Sequence, residues 1–177
     1  MDAAQGREDC ALQNDMALIS DESRCAICGG PLSRPYTGTS GCAFWPGHRL
    51  FAFCDAPLHF SCLEVWPDRE EFALAYHELA LDRWRKGYGT LIHVAETWFL
   101  GCGPSTPPES PYFAQVCLRD WPNRLYTRFE NWDIFVRESY RAGLVGEALS
   151  RADAVMTEVR IMLPDQHALQ EAWKARR

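Results

Sequence analysis

The reading turns on two short stretches, Cys25-Ala26-Ile27-Cys28-Gly29-Gly30 and Leu58-His59-Phe60-Ser61-Cys62. Two thiols separated by two residues can grip one metal ion from a tight turn. The two glycines that follow ease the backbone geometry that points amides at charged sulfur. His59 and Cys62 stand three apart, so in a helix they share one face of the first turn. The free amide ends there favour bound thiolates. Cys25, Cys28, His59 and Cys62 therefore make a candidate tetrahedral set of three sulfurs and one nitrogen, which is the donor chemistry of a structural Zn2+. One structural zinc ion is the expected cofactor. The competing reading of Cys25 and Cys28 is a redox pair beside an unrelated histidine.

Between the two stretches, Cys42-Ala43-Phe44-Trp45 and Arg49-Leu50-Phe51-Ala52-Phe53 flank Pro46-Gly47-His48. Aromatic runs around a Pro-Gly break predict a short hairpin. Cys42, His48 and Cys54 lie around it and are the residues left to build a second zinc site. Cys54 is also an alternative to His59 in the first. His59 to Trp66 predicts a short helix stopped by Pro67.

In this order of knuckle, hairpin and helix, residues 24–67 resemble a treble-clef zinc finger. CAICGG carries the knuckle, and LHFSCLEVW carries the helix whose first turn gives the last two ligands. The resemblance implies a metal architecture and no particular activity. Cys54, His59 and Cys62 also resemble the middle of a RING or PHD-type finger. Those families bind two zincs through eight ligands, and the RING likeness implies partners in ubiquitin transfer. Here the spacing from Cys54 to His59 is wider than in a RING, and no CxxC pair follows Cys62.

Beyond Pro67, Asp68 offers an N-cap and Glu70 and Glu71 occupy a favourable first turn. Phe72, Ala73, Tyr76, Leu79, Ala80, Arg83 and Trp84 outline an apolar face that predicts a helix to about Lys86, ended by Gly87 and Gly89. Thr90 to Leu100 reads as one strand, with a continued helix as the alternative. Gly101 to Pro111 is a proline-rich loop. Tyr112 to Arg119 and Arg124 to Phe129 predict two strands paired across Asp120-Trp121-Pro122-Asn123. Asn131 or Asp133 caps a helix ending near Gly143. A longer helix from Gly146 to Leu163 presents Leu149, Ala152, Val155, Met156, Val159 and Met162, and Asp165 caps a last one. The expected fold class is α+β: a small treble-clef-like zinc module at 24–67 packed against a helical and β-hairpin-containing body at 68–177. An acidic peripheral arm at 1–23 precedes them, with a helical turn near 13–18 and Cys10 in the arm.

The chain has 177 residues, 47% of them apolar, which supports a real core. Its net charge is −6, which argues against broad binding to a nucleic-acid backbone. The first residues lack a basic start followed by an apolar run, and no stretch approaches the length of a membrane span. A cytoplasmic protein with no membrane association is the expectation. Its eight cysteines then read as metal ligands plus small buried side chains.

A donor set already filled by four protein ligands leaves no open position for water or substrate, so the metal reads as structural. No HExxH is present, since His77-Glu78 lacks a second histidine, and no GxSxG occurs. Cys102 with His93 is the remaining hint of nucleophilic chemistry. Most of the seven tryptophans read as core anchors, with Trp66 and Trp84 joining the module to the body. Trp121 is read as an exposed binding aromatic beside Arg124. Ile27, Pro57 and Leu58 are read as an apolar docking surface on the module. These features suggest a zinc-stabilised protein-interaction adaptor or regulator with a protein partner. The alternatives are a RING-like accessory or E3-type component of protein conjugation, and an enzyme with a pocket in the C-terminal body.

Overall fold

The computed structural model describes residues 19–20, 22–103, 110–122 and 124–176. The helical turn expected at 13–18, Cys10 and most of the acidic arm lie outside the described residues, as does the centre of the proline-rich loop.

Within the metal-binding part, two three-residue strands pair antiparallel: β1 (Tyr36–Gly38) and β2 (Pro57–His59), with Tyr36 opposite His59. The hairpin arms expected at 42–45 and 49–53 therefore move outward. The residues between form turns and one 3-10 turn at Phe51–Phe53. Thr39 closes the base of this loop, because its hydroxyl donates to the Phe53 carbonyl at 2.8 Å and accepts from the Ala56 amide at 3.0 Å. The aromatic content that suggested strands serves burial instead. Phe44 enters the core and stacks on His48 at 4.5 Å and on Phe72 at 5.8 Å.

Helix α1 (Phe60–Val65) begins directly after β2, with His59 in the N-cap position, and buries Phe60 and Leu63. Trp66 is extended, Pro67 cannot continue the helix, and α2 (Arg69–Arg83) starts after Asp68. The buried face of α2 is Phe72, Ala73, Tyr76, His77, Ala80 and Leu81. A wider turn over Trp84–Tyr88 ends it, with Gly87 at φ 98°.

The body is built on a four-stranded antiparallel meander in the order β3 (Thr90–Val94), β4 (Trp98–Cys102), β5 (Phe113–Leu118) and β6 (Arg124–Arg128). The expected single strand from Thr90 to Leu100 is broken into two. The Ala95 amide bonds to the Trp98 carbonyl at 2.9 Å across a turn holding Glu96 and Thr97, so the chain reverses there. β4 and β5 are buried at every position because the sheet is covered on both sides. Trp98, Leu100 and Cys102 face the larger core with Ala114, Val116 and Leu118, while Phe99, Phe113 and Cys117 face Ala80, Leu81 and Trp84 of the α2 segment. Gly101 makes that second contact possible: a Cβ there would lie 2.5 Å from the Trp84 ring.

Three helices close the larger core: α3 (Trp132–Arg137), α4 (Gly146–Met162) and α5 (Gln166–Lys174). Asp165 caps α5 as expected, its carboxylate accepting from the Ala168 amide at 2.8 Å. The indole N–H of the fully buried Trp132 donates to the Leu163 carbonyl at 3.1 Å. The small sheet-and-helix module thus packs against a larger helical and β-hairpin body in an α+β arrangement. Among the described residues, no helix is long and apolar enough to cross a membrane.

Candidate metal centre

The knuckle is a tight turn held by its own backbone. The Cys25 amide bonds to the Gly30 carbonyl at 3.0 Å and the Gly29 amide to the Cys25 carbonyl at 2.8 Å, with Gly29 at φ 68°. An Ala26 amide bond to the Pro57 carbonyl at 3.0 Å docks the turn on β2. The end of β2 and the first turn of α1 then bring His59 and Cys62 to the same place.

One potential ligand atom from each of Cys25, Cys28, His59 and Cys62 lies within 4.8 Å of the others. His59 Nδ1 is 3.6 Å from both Cys28 Sγ and Cys62 Sγ. A tetrahedral ion with Zn–S near 2.3 Å and Zn–N near 2.05 Å puts sulfur and nitrogen about 3.6 Å apart, so these spacings fit one zinc. The other ring nitrogen, Nε2, lies 3.2 Å from the Ser33 backbone nitrogen. Cys25 is fully buried, His59 and Cys62 are half-buried, and Cys28 is exposed.

The electrostatics match the donor set. Burial raises the Cys25 thiol, but the backbone N–H groups of His59, Cys28 and Ile27 outweigh it and hold the thiol below its ordinary value. The His59 amide donates to Cys25 Sγ and the Gly30 amide to Cys28 Sγ, each at 3.4 Å. Cys62 goes the other way: burial, then the neighbouring Cys28 and Cys25 sulfurs, push it up to about 12. Three thiolates this close repel one another, and a divalent cation is the charge that lets all three ionise. The arrangement is a Cys3His cluster consistent with one structural zinc, and so with a non-catalytic, metal-stabilised module.

The further ligand candidates stand apart. Among the described residues no second such group forms. Cys42 is not part of the cluster. His48 stacks on Phe44, and its Nδ1 accepts from the Leu50 amide at 3.1 Å. Cys54 is a free thiol, raised by burial and approached by the Phe44 and Ala43 amides. The described residues thus supply four ligands, where a cross-braced finger needs eight.

The expected docking residues need correction. Leu58 is 0% exposed because its side chain sits on the inner face of β2, whereas Ile27 and Pro57 keep part of their surface in solvent. Trp121 is 1% exposed, lying under the guanidinium groups of Arg69 at 4.8 Å and Arg151 at 5.9 Å. A turn position suggested exposure, but the ring folds back beneath two cations. Arg124 is engaged internally, donating to Ser40 Oγ at 2.8 Å and lying 4.6 Å over the Tyr76 ring. Cys102 and His93 form no nucleophilic pair. Cys102 is fully buried, with its thiol pushed up to about 12, and His93 packs on Trp98 at 4.9 Å.

Trp66 joins module to body as expected, packing on Phe53 at 4.4 Å and Phe72 at 5.4 Å. Trp84 instead joins α2 to the meander, through Phe99 and Phe113. A polar joint went unread in the sequence. The Glu64 carboxylate on α1 accepts from the Glu147 amide at 2.8 Å in the first turn of α4, and Arg69 pairs with Glu147 at 2.6 Å. Gly146, at φ 55°, leaves room for it, since a Cβ there would lie 1.9 Å from Glu64 Oε1. No protein-family model, curated protein or solved structure matches this chain.

Proposed function

We propose that this chain is a cytoplasmic protein-interaction adaptor or regulator in which one structural Zn2+, held by Cys25, Cys28, His59 and Cys62, orders a binding module spanning 24–67. The convergence of four protein donors within 4.8 Å carries the reading, because such a set holds an ion without leaving it a reactive position. The order of knuckle, strand pair and helix resembles a treble clef.

The surface belongs beside the metal helix. Val65 at the end of α1 is 80% exposed and Trp45, in the loop of the same module, is 40% exposed. Large apolar side chains left in water on a small metal-held module suit a protein partner. The net charge of −6 opposes a nucleic-acid partner.

Two measurements test this. Purified protein contains close to one zinc per chain by elemental analysis, and Cys25→Ser loses it. A partner captured by crosslinking is lost with Val65→Asp or Trp45→Ala while zinc is retained. A fully folded, metal-free protein overturns the metal part. Capture indifferent to both surface changes overturns the adaptor part.

A further inference from the structure

A cleft of about 420 Å3 opens in the body where α2 meets the β3–β4 turn and the end of β5. His77, Leu81 and Arg85 stand four residues apart on one face of the α2 segment, with Glu78 beside them. The hairpin turn contributes Val94 and Glu96. Arg119 follows β5, held to that turn by its backbone amide bonding to the Thr97 carbonyl at 2.8 Å. We propose that this cleft binds a small zwitterion of the amino-acid class, with its carboxylate on Arg85 and Arg119 and its ammonium on Glu78 and Glu96.

The first support is the unpaired charge. None of these four side chains forms an ion pair, although two cations and two carboxylates line one cleft. Elsewhere the same molecule pairs its charges readily, as in Lys86 with Asp82 one helical turn apart. The second support is His77. It is 6% exposed, and its Nε2 is buried without a hydrogen-bond partner. A buried polar atom left unmatched is uncommon, and His77 forms part of the wall of this cleft. Burial, and then the Arg119 charge, push His77 down to about 4, so the ring is neutral at neutral pH. The lining is then two positive and two negative groups, with no net charge.

That balance selects the ligand class. An anion alone leaves two carboxylates facing it, and a cation alone leaves two guanidinium groups. A molecule bearing both charges satisfies all four, and Leu81 and Val94 offer an apolar bed for its carbon skeleton. The volume lies within the range of about 300–1,000 Å3 usual for small-molecule sites. The site shares no residue with the metal centre.

Nuclear magnetic resonance of the intact, zinc-loaded chain tests this. L-leucine, L-alanine, leucinamide, N-acetyl-L-leucine and inorganic phosphate are titrated in turn while the His77 ring signals are followed. The expected result is a saturable shift with a free amino acid. Leucinamide, lacking the carboxylate, and N-acetyl-L-leucine, lacking the ammonium, bind at least about tenfold more weakly, the scale of one charge-assisted contact. Arg119→Gln weakens leucine by a similar factor but leaves leucinamide unchanged, and Glu96→Gln spares N-acetyl-L-leucine in the same way. Both changes are at exposed positions, so the fold is retained. The proposal is overturned if neither amino acid moves the His77 signals at millimolar concentration. It is equally overturned if phosphate or N-acetyl-L-leucine saturates the site as tightly as leucine.

Discussion

The module that holds the metal ligands and the meander behind it reach order by different routes. The module has two three-residue strands and a six-residue helix, and a knuckle whose backbone bonds close on themselves. That is little regular structure for so much chain. The meander pairs four antiparallel strands, buries both faces of β4 and β5, and carries helical segments over both sides. One region adds to its share of the core a point where four side chains converge. The other depends on apolar area. Small units short of core commonly use metal or disulfides in this way, and larger ones need neither.

Stripping the metal should separate the regions most sharply. Binding of structural zinc contributes on the order of 10 kcal/mol in small fingers, where it is also the folding free energy. A strong chelator, or Cys25→Ser, is expected to abolish amide protection across 24–66. The amides of β4 and β5 remain protected. Hydrogen exchange read segment by segment checks this. If protection is lost everywhere at once, the two regions are one cooperative unit and the contrast fails.

A core deletion in the body makes the converse case. Trp132 is fully buried on α3 and its indole N–H is bonded to the Leu163 carbonyl. Trp132→Ala is expected to cost about 3–5 kcal/mol in chemical denaturation, from lost contact and the cavity left behind. Zinc content stays near one per chain, because no ligand rests on that helix. Loss of metal along with stability would show that the body holds the module in place.

The same difference explains what could be read in advance. The metal cluster was legible because ligand spacing is a local property: Cys25 with Cys28 and His59 with Cys62 are each three apart, and their meeting required only a reversal between them. The helices at 69–83, 146–162 and 166–174 were legible from apolar spacing and from Asp165. The hairpin at 42–53 was misplaced because Phe44 and Phe53 are aromatic for reasons of burial, and a loop can bury a ring as well as a strand can. Thr90 to Leu100 read as one strand because a turn through Ala95, Glu96 and Thr97 contains neither glycine nor proline. Trp121 was misjudged because nothing local reveals that Arg69 and Arg151, distant in sequence, lie over its ring. The cleft around His77 was missed for the same reason, as Arg119 and Glu96 reach α2 only through the folded meander.

Acid should expose a difference of intermediate size. His77 is held at about 4 against an ordinary 6.5, so the unfolded chain binds the proton more tightly than the folded one. Its full contribution is present above the unfolded value and is lost as pH falls through 6.5 toward 4. From pH 7 to pH 5 this amounts to about 2 kcal/mol. Denaturation of the wild type and His77→Gln at several pH values checks the sign. The wild type loses the larger share on acidification, so the gap between them changes steadily. The signal is clearest in β4 and β5, since His77 packs on Phe99 at 5.2 Å. Parallel pH profiles for the two proteins would remove His77 from the account.

The smallest expected effect lies at the joint, where a polar contact links the two routes to order. The Glu64 carboxylate, two residues beyond the ligand Cys62, takes up a free amide at the start of α4. Glu64→Ala is expected to cost about 1 kcal/mol, the usual price of a lost N-terminal cap. Gly146→Ala is expected to cost somewhat more, about 1–2 kcal/mol, because its φ of 55° disfavours a side chain and the new Cβ displaces the same carboxylate. The two changes remove one shared contact, so the double variant should be less destabilised than the sum of the singles by roughly 0.5–1 kcal/mol. The decisive reading is zinc affinity in each variant. If the joint transmits stability from body to module, both single variants release zinc more readily while keeping all four ligands. If affinity is unchanged, the module is ordered by its metal alone, and the contrast between the two regions is complete.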